Sequence, residues 1–142
     1  MKIRKGNISD FDSLFRFLNE TPELQAGEEG NTYTKEWVGA VLTDIERDLV
    51  LIAEENNKII GFLMAELWPK KGYSFFSDIF VVPEFRRKGV ATKLLGEYEK
   101  IVRHQKMNRI MSWVLTNNKK MHNFMKNNGF KKEYSFYLYE KK

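Results

Sequence analysis

A basic loop that contains one glycine stands between a predicted strand and a predicted helix in the middle of the chain. The loop, Arg86-Arg87-Lys88-Gly89, follows Val81-Val82-Pro83 and leads into Val90-Ala91-Thr92. The first turn of a helix has free N–H groups and the positive end of the helix dipole, which together bind anions. Gly89 has no Cβ, so the backbone there can approach a phosphate closely. The segment predicts a phosphate-binding helix end, although a solvated basic helix terminus has the same composition. It lacks the G-x-x-x-x-G-K-[ST] pattern of nucleoside triphosphatases.

The elements that position this loop follow from hydrophobic periodicity and turn signals. Apolar residues at helical spacing predict helices that begin near residues 11, 35, 89 and 118, and β-rich runs predict strands over 3–5, 49–54, 58–68, 73–82, 108–115 and 130–140. Residues 9–12 fit a capping box, Thr34 a helix N-cap, Asn56-Asn57 a type I′ turn and Asn128-Gly129 a helix C-cap. Residues 20–33 predict an acidic loop. The order β α α β β β α β α β predicts one mixed α/β domain over residues 1–142, with helices on both faces of one sheet.

Composition excludes several classes of site. The chain of 142 residues has no cysteine and only two histidines, which excludes disulfide frameworks, thiolate metal sites and a cysteine nucleophile, and argues against any metal centre. The longest apolar run, residues 59–65, is far shorter than the roughly 18 residues of a membrane span. Together with the absence of a signal-peptide core, this predicts a soluble cytoplasmic protein that does not contact the membrane.

Charge is segregated along the chain. The net charge is +5, yet residues 20–48 carry eight acidic and two basic side chains, and residues 84–142 carry 15 basic and five acidic ones. This distribution predicts an anionic ligand at the C-terminal half and a cationic one at the acidic segment. Binding of nucleic acid by residues 84–142 is not expected, because the basic residues cluster at a helix N-terminus and are not interleaved with aromatic ones.

Two motifs resemble those of the GNAT family of N-acetyltransferases. Arg86-x-x-Gly89-x-Ala91 resembles the Q/R-x-x-G-x-G/A signature, and Asn118-x-x-Met121-x-x-Phe124-x-x-x-x-Gly129-Phe130 resembles a later N-x-x-A-x-x-F-Y-x-K-x-G-F segment. Both motifs fall on the expected elements, and the length and element order also fit. The resemblance implies an α/β fold with a mixed, mainly antiparallel sheet, helices on both faces, and splayed strands that form the cofactor cleft.

The resemblance also implies that acetyl-CoA is bound as the acetyl donor. Backbone N–H groups of the signature loop would hold the pyrophosphate, and the pantetheine arm would pair with the end of the preceding strand. One N–H of that strand, near Phe80 or Val81, could stabilise the oxyanion. The implied cofactor-binding residues are Ile79, Phe80, Val81, Arg86, Arg87, Lys88, Gly89, Val90, Ala91, Thr92 and Asn118.

The reaction needs a neutral amine and a leaving thiolate. A lysine-like amine costs roughly 4.6 kcal/mol to deprotonate at pH 7, whereas an α-amino group costs only about 1–1.4 kcal/mol. Asp78 and Glu66, on the two strands before the loop, are the predicted catalytic bases, with Tyr73 as a third possibility. Each could instead be structural.

The family's usual tyrosine acid is replaced by Met125, whose thioether cannot donate a proton. Hydroxyl groups that could substitute are those of Ser112, Tyr134, Tyr137 and Tyr139, although packing is the commoner role of such residues. His122, on the same predicted short helix, is expected to be exposed.

The predicted function is acetyl transfer to a primary amine, either of a small cationic molecule or of a protein or peptide. Trp37 and Trp68 could form an aromatic wall for the amine, or could pack in the core. Met125 keeps open a second reading, a catalytically weak or inactive CoA-binding module of the same fold. No metal is predicted, and the chain could be a monomer or a homodimer.

Overall fold

The structure is a computed structural model that describes residues 1–21, 24 and 33–142. Its contacts divide the chain into two compact units, residues 1–112 and residues 113–142. The first unit contains β1 (Lys2–Lys5), α1 (Phe11–Glu20), α2 (Lys35–Thr43), β2 (Asp48–Glu55), β3 (Lys58–Trp68), β4 (Tyr73–Val81), α3 (Val90–His104) and β5 (Arg109–Met111). The second contains α4 (Lys119–Asn127). No helix in the described part of the chain combines the length and the apolar sequence that a membrane span requires.

The first unit is built on a five-stranded sheet in the order β1-β2-β3-β4-β5. Strands β1 to β4 pair antiparallel, and β5 runs parallel to β4. Asn56 and Asn57, which join β2 to β3, have φ values of 50° and 61°, as a type I′ turn requires. The predicted mixed, mainly antiparallel sheet is therefore confirmed.

Helices cover both faces of this sheet, as predicted. Alternate residues of a strand point to opposite faces, and one face packs against α1 and α2. The buried residues of that layer are Leu14, Leu18, Val38, Leu42, Val50, Ile52, Phe62, Met64 and Phe80. On the other face α3 packs through Tyr98, which is fully buried, lies 6.0 Å from the Phe76 ring and shares a 2.6 Å hydrogen bond with Ser74.

Local signals located most helix ends, with one error. Thr34 caps α2, since its hydroxyl accepts a hydrogen bond of 3.1 Å from the Trp37 N–H. The capping box lies at Asn7 and Asp10, not at residues 9–12, and starts a short 3-10 turn before α1. Asp10 is the better anchor because its carboxylate also accepts two 2.8 Å hydrogen bonds from Arg4. The predicted loop at 20–33 lies mostly outside the described residues.

The C-terminal strands differ from the prediction. The strand expected over residues 108–115 is limited to Arg109–Met111, and residues 130–140, expected as a final strand, form no strand. Alternating aromatic residues suit a strand, but a strand forms only when a second strand pairs with it. Tyr137 and Tyr139, for example, are 87% and 91% exposed. The C-cap of α4 is confirmed: Gly129 has φ +83°, and the Phe130 N–H donates to the Met125 carbonyl in a Schellman motif.

Candidate active site

The signature loop leaves the N-terminus of α3 uncapped. A short 3-10 turn, Pro83–Phe85, ends β4, and the chain enters α3 through Gly89 with φ +79°. The first hydrogen bond within the helix is donated by the Lys93 N–H to the Gly89 carbonyl, 3.0 Å away. The N–H groups of the preceding turn therefore have no intrahelical acceptor, and no side chain caps them.

The position that a side chain at Gly89 would occupy is empty. A Cβ built on Gly89 would meet no atom within 4 Å. The glycine is therefore favoured by its left-handed φ, and a side chain here would not clash within the protein. Arg87 and Lys88 are exposed beside it, which makes this helix end a suitable receptor for an anion.

Arg86 has a different role from its two basic neighbours. Its Nε donates a 2.8 Å hydrogen bond to the Val81 carbonyl, and its guanidinium lies 5.3 Å from the centroid of the Phe80 ring. The side chain thus ties the loop to the end of β4 and fixes the position of the helix N-terminus.

Strand β4 has an open outer edge next to this loop. Strand β5 pairs with Tyr73–Phe75, and just after β5 the Ser112 Oγ donates a 2.8 Å hydrogen bond to the Phe76 carbonyl. In the described chain, β4 has no strand partner on this side beyond that point. The pairing of β4 with β5 thus ends before the part of β4 that leads into the loop, and the cleft between splayed strands stays a prediction.

A bulge in β4 determines which backbone groups face this open edge. Met64 pairs with Asp78 and Ala65 with Phe76, so Ser77 is the extra residue. The Val82 N–H donates to the Ile60 carbonyl, and alternation along the antiparallel ladder then places the backbone groups of Ile79 and Val81 on the outer side.

The backbone of Phe80 turns inward by the same alternation. It pairs with Phe62 of β3, and the Phe80 ring packs in the core layer beside α1. The groups available to a ligand at this edge are thus those of Ile79 and the N–H of Val81, since Arg86 occupies the Val81 carbonyl.

Asp78 lies on the face of the sheet that α1 and α2 cover. Its cross-strand partner is Met64, and Phe80 follows two residues later on the same face. Burial raises the pKa of the Asp78 carboxyl above its usual range, and the Ser77 side chain partly opposes this. No lysine, arginine or histidine pairs with Asp78 among the described residues, and the undescribed ones include none of these types.

Glu66 is engaged elsewhere on the same face. Its carboxylate accepts a 3.2 Å hydrogen bond from Trp68 Nε1, and it lies opposite Asp48, whose pKa is raised by burial and by nearby carboxylates including Glu66. The Arg47 guanidinium lies 4.2 Å from the centroid of the Trp68 ring, and the Lys71 ammonium lies 5.1 Å from it. The two predicted bases thus have different surroundings, and only Asp78 lacks a side-chain cation or indole partner.

Comparison with known proteins matches this geometry to a family. The chain matches the family model of the acetyltransferase (GNAT) family over residues 11–130. It belongs to this family.

Relatives and solved structures agree with the assignment to the GNAT N-acetyltransferases. The uncharacterized N-acetyltransferase YhfO of Bacillus subtilis is 26% identical over 98% of this chain and 95% of its own length. PaiA N-acetyltransferase from Thermoplasma acidophilum, solved in complex with coenzyme A, superposes with a TM-score of 0.82, at 24% identity over 93% of this chain and 90% of its own. The aminoglycoside acetyltransferase meta-AAC0020 from an uncultured soil metagenomic sample, solved in complex with sisomicin, superposes with a TM-score of 0.83. It is 14% identical over 99% of this chain and 96% of its own.

The second GNAT motif lies on α4 in the unit of residues 113–142. Asn118 caps this helix, since its side-chain oxygen accepts a 3.1 Å hydrogen bond from the Met121 N–H. Met125 is half-buried, and His122 Nε2 lies 2.9 Å from the Leu115 carbonyl oxygen, within hydrogen-bond distance. These contacts account for Asn118 and His122 structurally, and the cofactor role of Asn118 stays a prediction.

The hydroxyl groups considered as substitutes for the GNAT tyrosine acid have varied surroundings. The Ser112 hydroxyl donates to the Phe76 carbonyl, while Tyr134, Tyr137 and Tyr139 are largely exposed. Tyr73 pairs with Trp68 and Arg109 at the far end of β4 from the signature loop.

One residue of the site was not predicted from the sequence. Tyr33 packs against the core layer that contains Met64 and Phe80, and the Asp78 carboxylate contributes, after burial, to raising the pKa of Tyr33 to about 12. A recognisable signal exists, because the residue before a helix N-cap commonly packs on the helix it precedes, and Tyr33 directly precedes Thr34.

Proposed function

We propose that this GNAT protein transfers an acetyl group from acetyl-CoA to a primary amine of a small cationic molecule or of a protein or peptide. The observation that carries the proposal is the N-terminus of α3, which no side chain caps and which follows the part of β4 that has no strand partner on its outer side in the described chain. These two features suit the two ends of one ligand, an anionic pyrophosphate and an amide-containing arm.

The residues of the loop and the edge fit that ligand. The N–H groups of residues 87–92 would hold the pyrophosphate, with Arg87 and Lys88 adding positive charge. The outward backbone groups of Ile79 would pair with the pantetheine amides, and the Val81 N–H would be available to the oxyanion. Asn118 is proposed as a further contact, and both units as parts of one N-acetyltransferase domain, because the family match spans them.

Asp78 is the better candidate for the catalytic base. A base that must take a proton from an ammonium benefits from a raised pKa, and burial raises that of Asp78. Its carboxylate lacks a cationic partner and can accept the proton, after which the neutral nitrogen attacks the thioester carbonyl. Glu66, bound to the Trp68 indole, is the less suitable of the two.

Loss of the thiolate then proceeds with little help from Met125. A thiol with a pKa near 8.5 leaves as thiolate at a cost of about 2 kcal/mol at pH 7. Absence of a general acid therefore slows turnover roughly 10²-fold without preventing it. Met125 is also the observation that favours the alternative function, a CoA-binding module with weak or no catalysis.

A thiol-release assay tests the proposal. Purified protein is incubated with acetyl-CoA and a panel of diamines, aminoglycosides, amino acids and peptides with free N-termini, and free thiol is measured. Aminoglycosides belong in the panel because a structural neighbour is an aminoglycoside acetyltransferase. Release above the hydrolysis background with any amine supports the enzyme. CoA binding by calorimetry without release supports the binding module.

The pH dependence of turnover tests the base. With a diamine acceptor at limiting concentration, the wild-type rate should rise from pH 6 to 8, and Asp78→Asn should instead give a low rate that increases toward pH 9–10. The amide cannot accept a proton, so only the neutral fraction of the amine, about 10⁻³ at pH 7 for a lysine-like group, can react. Glu66→Gln is the matched control and should keep the wild-type profile. A wild-type profile in Asp78→Asn would remove Asp78 from the mechanism and leave the cofactor site unaffected.

A further inference from the structure

Two aromatic rings lie close together at the start of α2. The Tyr33 and Trp37 rings lie 5.1 Å apart between centroids and are inclined at 44°. Tyr33 is half-buried against the core layer, and Trp37 remains 39% exposed. Together they form a surface that is apolar at its base and open at its outer side.

Polar contacts hold these rings in place. The Thr34 hydroxyl accepts from the Trp37 N–H, and Asn19 Nδ2 donates to the Tyr33 carbonyl at 3.3 Å and to the Phe15 carbonyl at 2.9 Å. The backbone that carries both rings is thereby fixed to α1 and to the first turn of α2. A surface fixed in this way loses little conformational entropy when a ligand binds.

The packing places Tyr33 on the same face of the sheet as Asp78. Tyr33 contacts the core layer to which Met64 and Phe80 belong. Met64 is the cross-strand partner of Asp78, and Phe80 is its neighbour on the same face of β4. The Asp78 carboxylate and the Tyr33 ring therefore lie on one face of the sheet, and Asp78 contributes to the raised pKa of Tyr33. Trp37 lies next to Tyr33.

The rings hold no cation of the protein itself. In the described part of the chain, lysine or arginine side chains lie over the rings of Phe15, Trp68, Phe80 and Phe85, but not over Tyr33 or Trp37. The described residues between 20 and 48, which include both aromatic residues, carry five acidic and two basic side chains. An aromatic surface in an acidic segment attracts an organic cation.

We propose that Tyr33 and Trp37 determine the choice of acceptor by binding a second cationic centre of a small molecule whose reacting amine lies at Asp78. The inference rests on the proposed function and narrows its substrate class to amines with at least two positive charges. Tyr33 and Trp37 are specificity residues in this scheme, and Asp78 remains the group that takes the proton.

Three acceptors of similar length separate this role from general packing. With saturating acetyl-CoA and the full chain, 1,4-diaminobutane carries a second cation, 4-aminobutan-1-ol a neutral hydroxyl and n-butylamine a methyl group. The wild type should acetylate the diamine with a kcat/KM at least about fivefold above that of either monoamine, within the range of a cation–π contact.

Substitution of the rings should remove this preference. Trp37→Leu and Tyr33→Leu should each raise KM for the diamine about 3- to 30-fold with kcat changed less than twofold, and should leave n-butylamine nearly unaffected. Trp37→Phe keeps a ring and should retain most of the preference. Ile45→Ala is the control, since this residue is 80% exposed just after α2, and it should change nothing.

The outcomes distinguish the inference from the function on which it rests. A wild type that acetylates all three amines equally, or ring variants that lower kcat/KM equally for all three, would overturn the specificity role while the acetyltransferase stands. A wild type that acetylates no amine in the wider panel while it still binds CoA would overturn the proposed function, and the inference with it. The wild-type comparison needs no variant, so a variant that fails to fold does not prevent the test.

Discussion

Replacement of Gly89 by aspartate, compared with its replacement by asparagine, tests the anion site at the N-terminus of α3. Both side chains have the same shape, and both place a Cβ where the structure has no atom within 4 Å. Both also adopt the left-handed backbone of Gly89, φ +79°, more readily than other residues. The backbone cost, about 1 kcal/mol, is therefore shared, and the two variants differ only in one negative charge.

The size of that difference follows from Coulomb's law. A carboxylate at about 5 Å from one phosphate charge is repelled by about 0.8 kcal/mol if water fully screens the pair, and by about 3.3 kcal/mol at the effective dielectric constant of 20 typical of protein surfaces. Gly89→Asp should thus bind CoA about 4- to 300-fold more weakly than Gly89→Asn. Raising the ionic strength should reduce this difference in CoA affinity between the two variants, because the site is exposed and salt screens exposed charges.

Isothermal calorimetry with CoA measures both variants, and circular dichroism verifies that they are folded. Gly72 provides the control: it has φ +76°, a Cβ there would meet nothing closer than 3.8 Å, and it lies at the opposite end of β4. Gly72→Asp and Gly72→Asn should bind CoA equally. Equal affinities for the two Gly89 variants would refute the assignment of the pyrophosphate to this helix end.

Four further predictions concern other groups. Met125→Tyr should keep the fold and raise kcat if the leaving thiolate limits turnover; an unchanged kcat would show that another step limits it. Asp78→Asn should unfold at higher denaturant concentration than the wild type at pH 7. Burial raises the pKa of Asp78 in the folded protein, so the wild type loses stability as pH rises from about 4, the pKa in the unfolded chain, through the raised folded pKa. Asp10→Ala should lower the free energy of unfolding by about 2–4 kcal/mol at pH 7, since it removes the cap and leaves Arg4 with Glu54 alone. Because Arg4 lowers the pKa of Asp10, the contribution of Asp10 is lost as pH falls below about 4, and an equal effect of the substitution at pH 2 would contradict this. Tyr137→Ala should change that free energy by less than about 0.5 kcal/mol, whereas a residue of a packed strand would cost several times more.

Much of the first unit could be predicted from the sequence because its elements are specified locally. The turn at Asn56 and Asn57 tolerates left-handed φ values, Thr34 caps its helix with its own hydroxyl, and the apolar spacing of α1 matches one buried face. Each of these signals acts within a few residues, and the structure agrees with each.

The features that could not be predicted correctly from the sequence depend on partners that are distant in the chain. The aromatic alternation over residues 130–140 is suited to a strand, but a strand requires a second one beside it. The capping box at Asn7 was missed because Asp10 is selected by Arg4 and, through it, by Glu54 of β2. Glu66 and Asp78 looked equivalent as bases, since the sequence does not show that the Trp68 indole binds one of them.

Two features of the first unit reduce its stability, and both lie at the proposed site. A side-chain cap typically contributes roughly 1 kcal/mol to a helix N-terminus, and the left-handed Gly89 supplies none to α3. A carboxylate buried without a cationic partner, at Asp78, is less stable than the same group in water. By contrast, Asp10 is paired with Arg4, and Thr34 caps α2. Because an anion at the helix end and an ammonium at Asp78 would each supply the missing partner, the pattern favours ligands of opposite charge at adjacent positions, as transfer from CoA to a cationic amine requires.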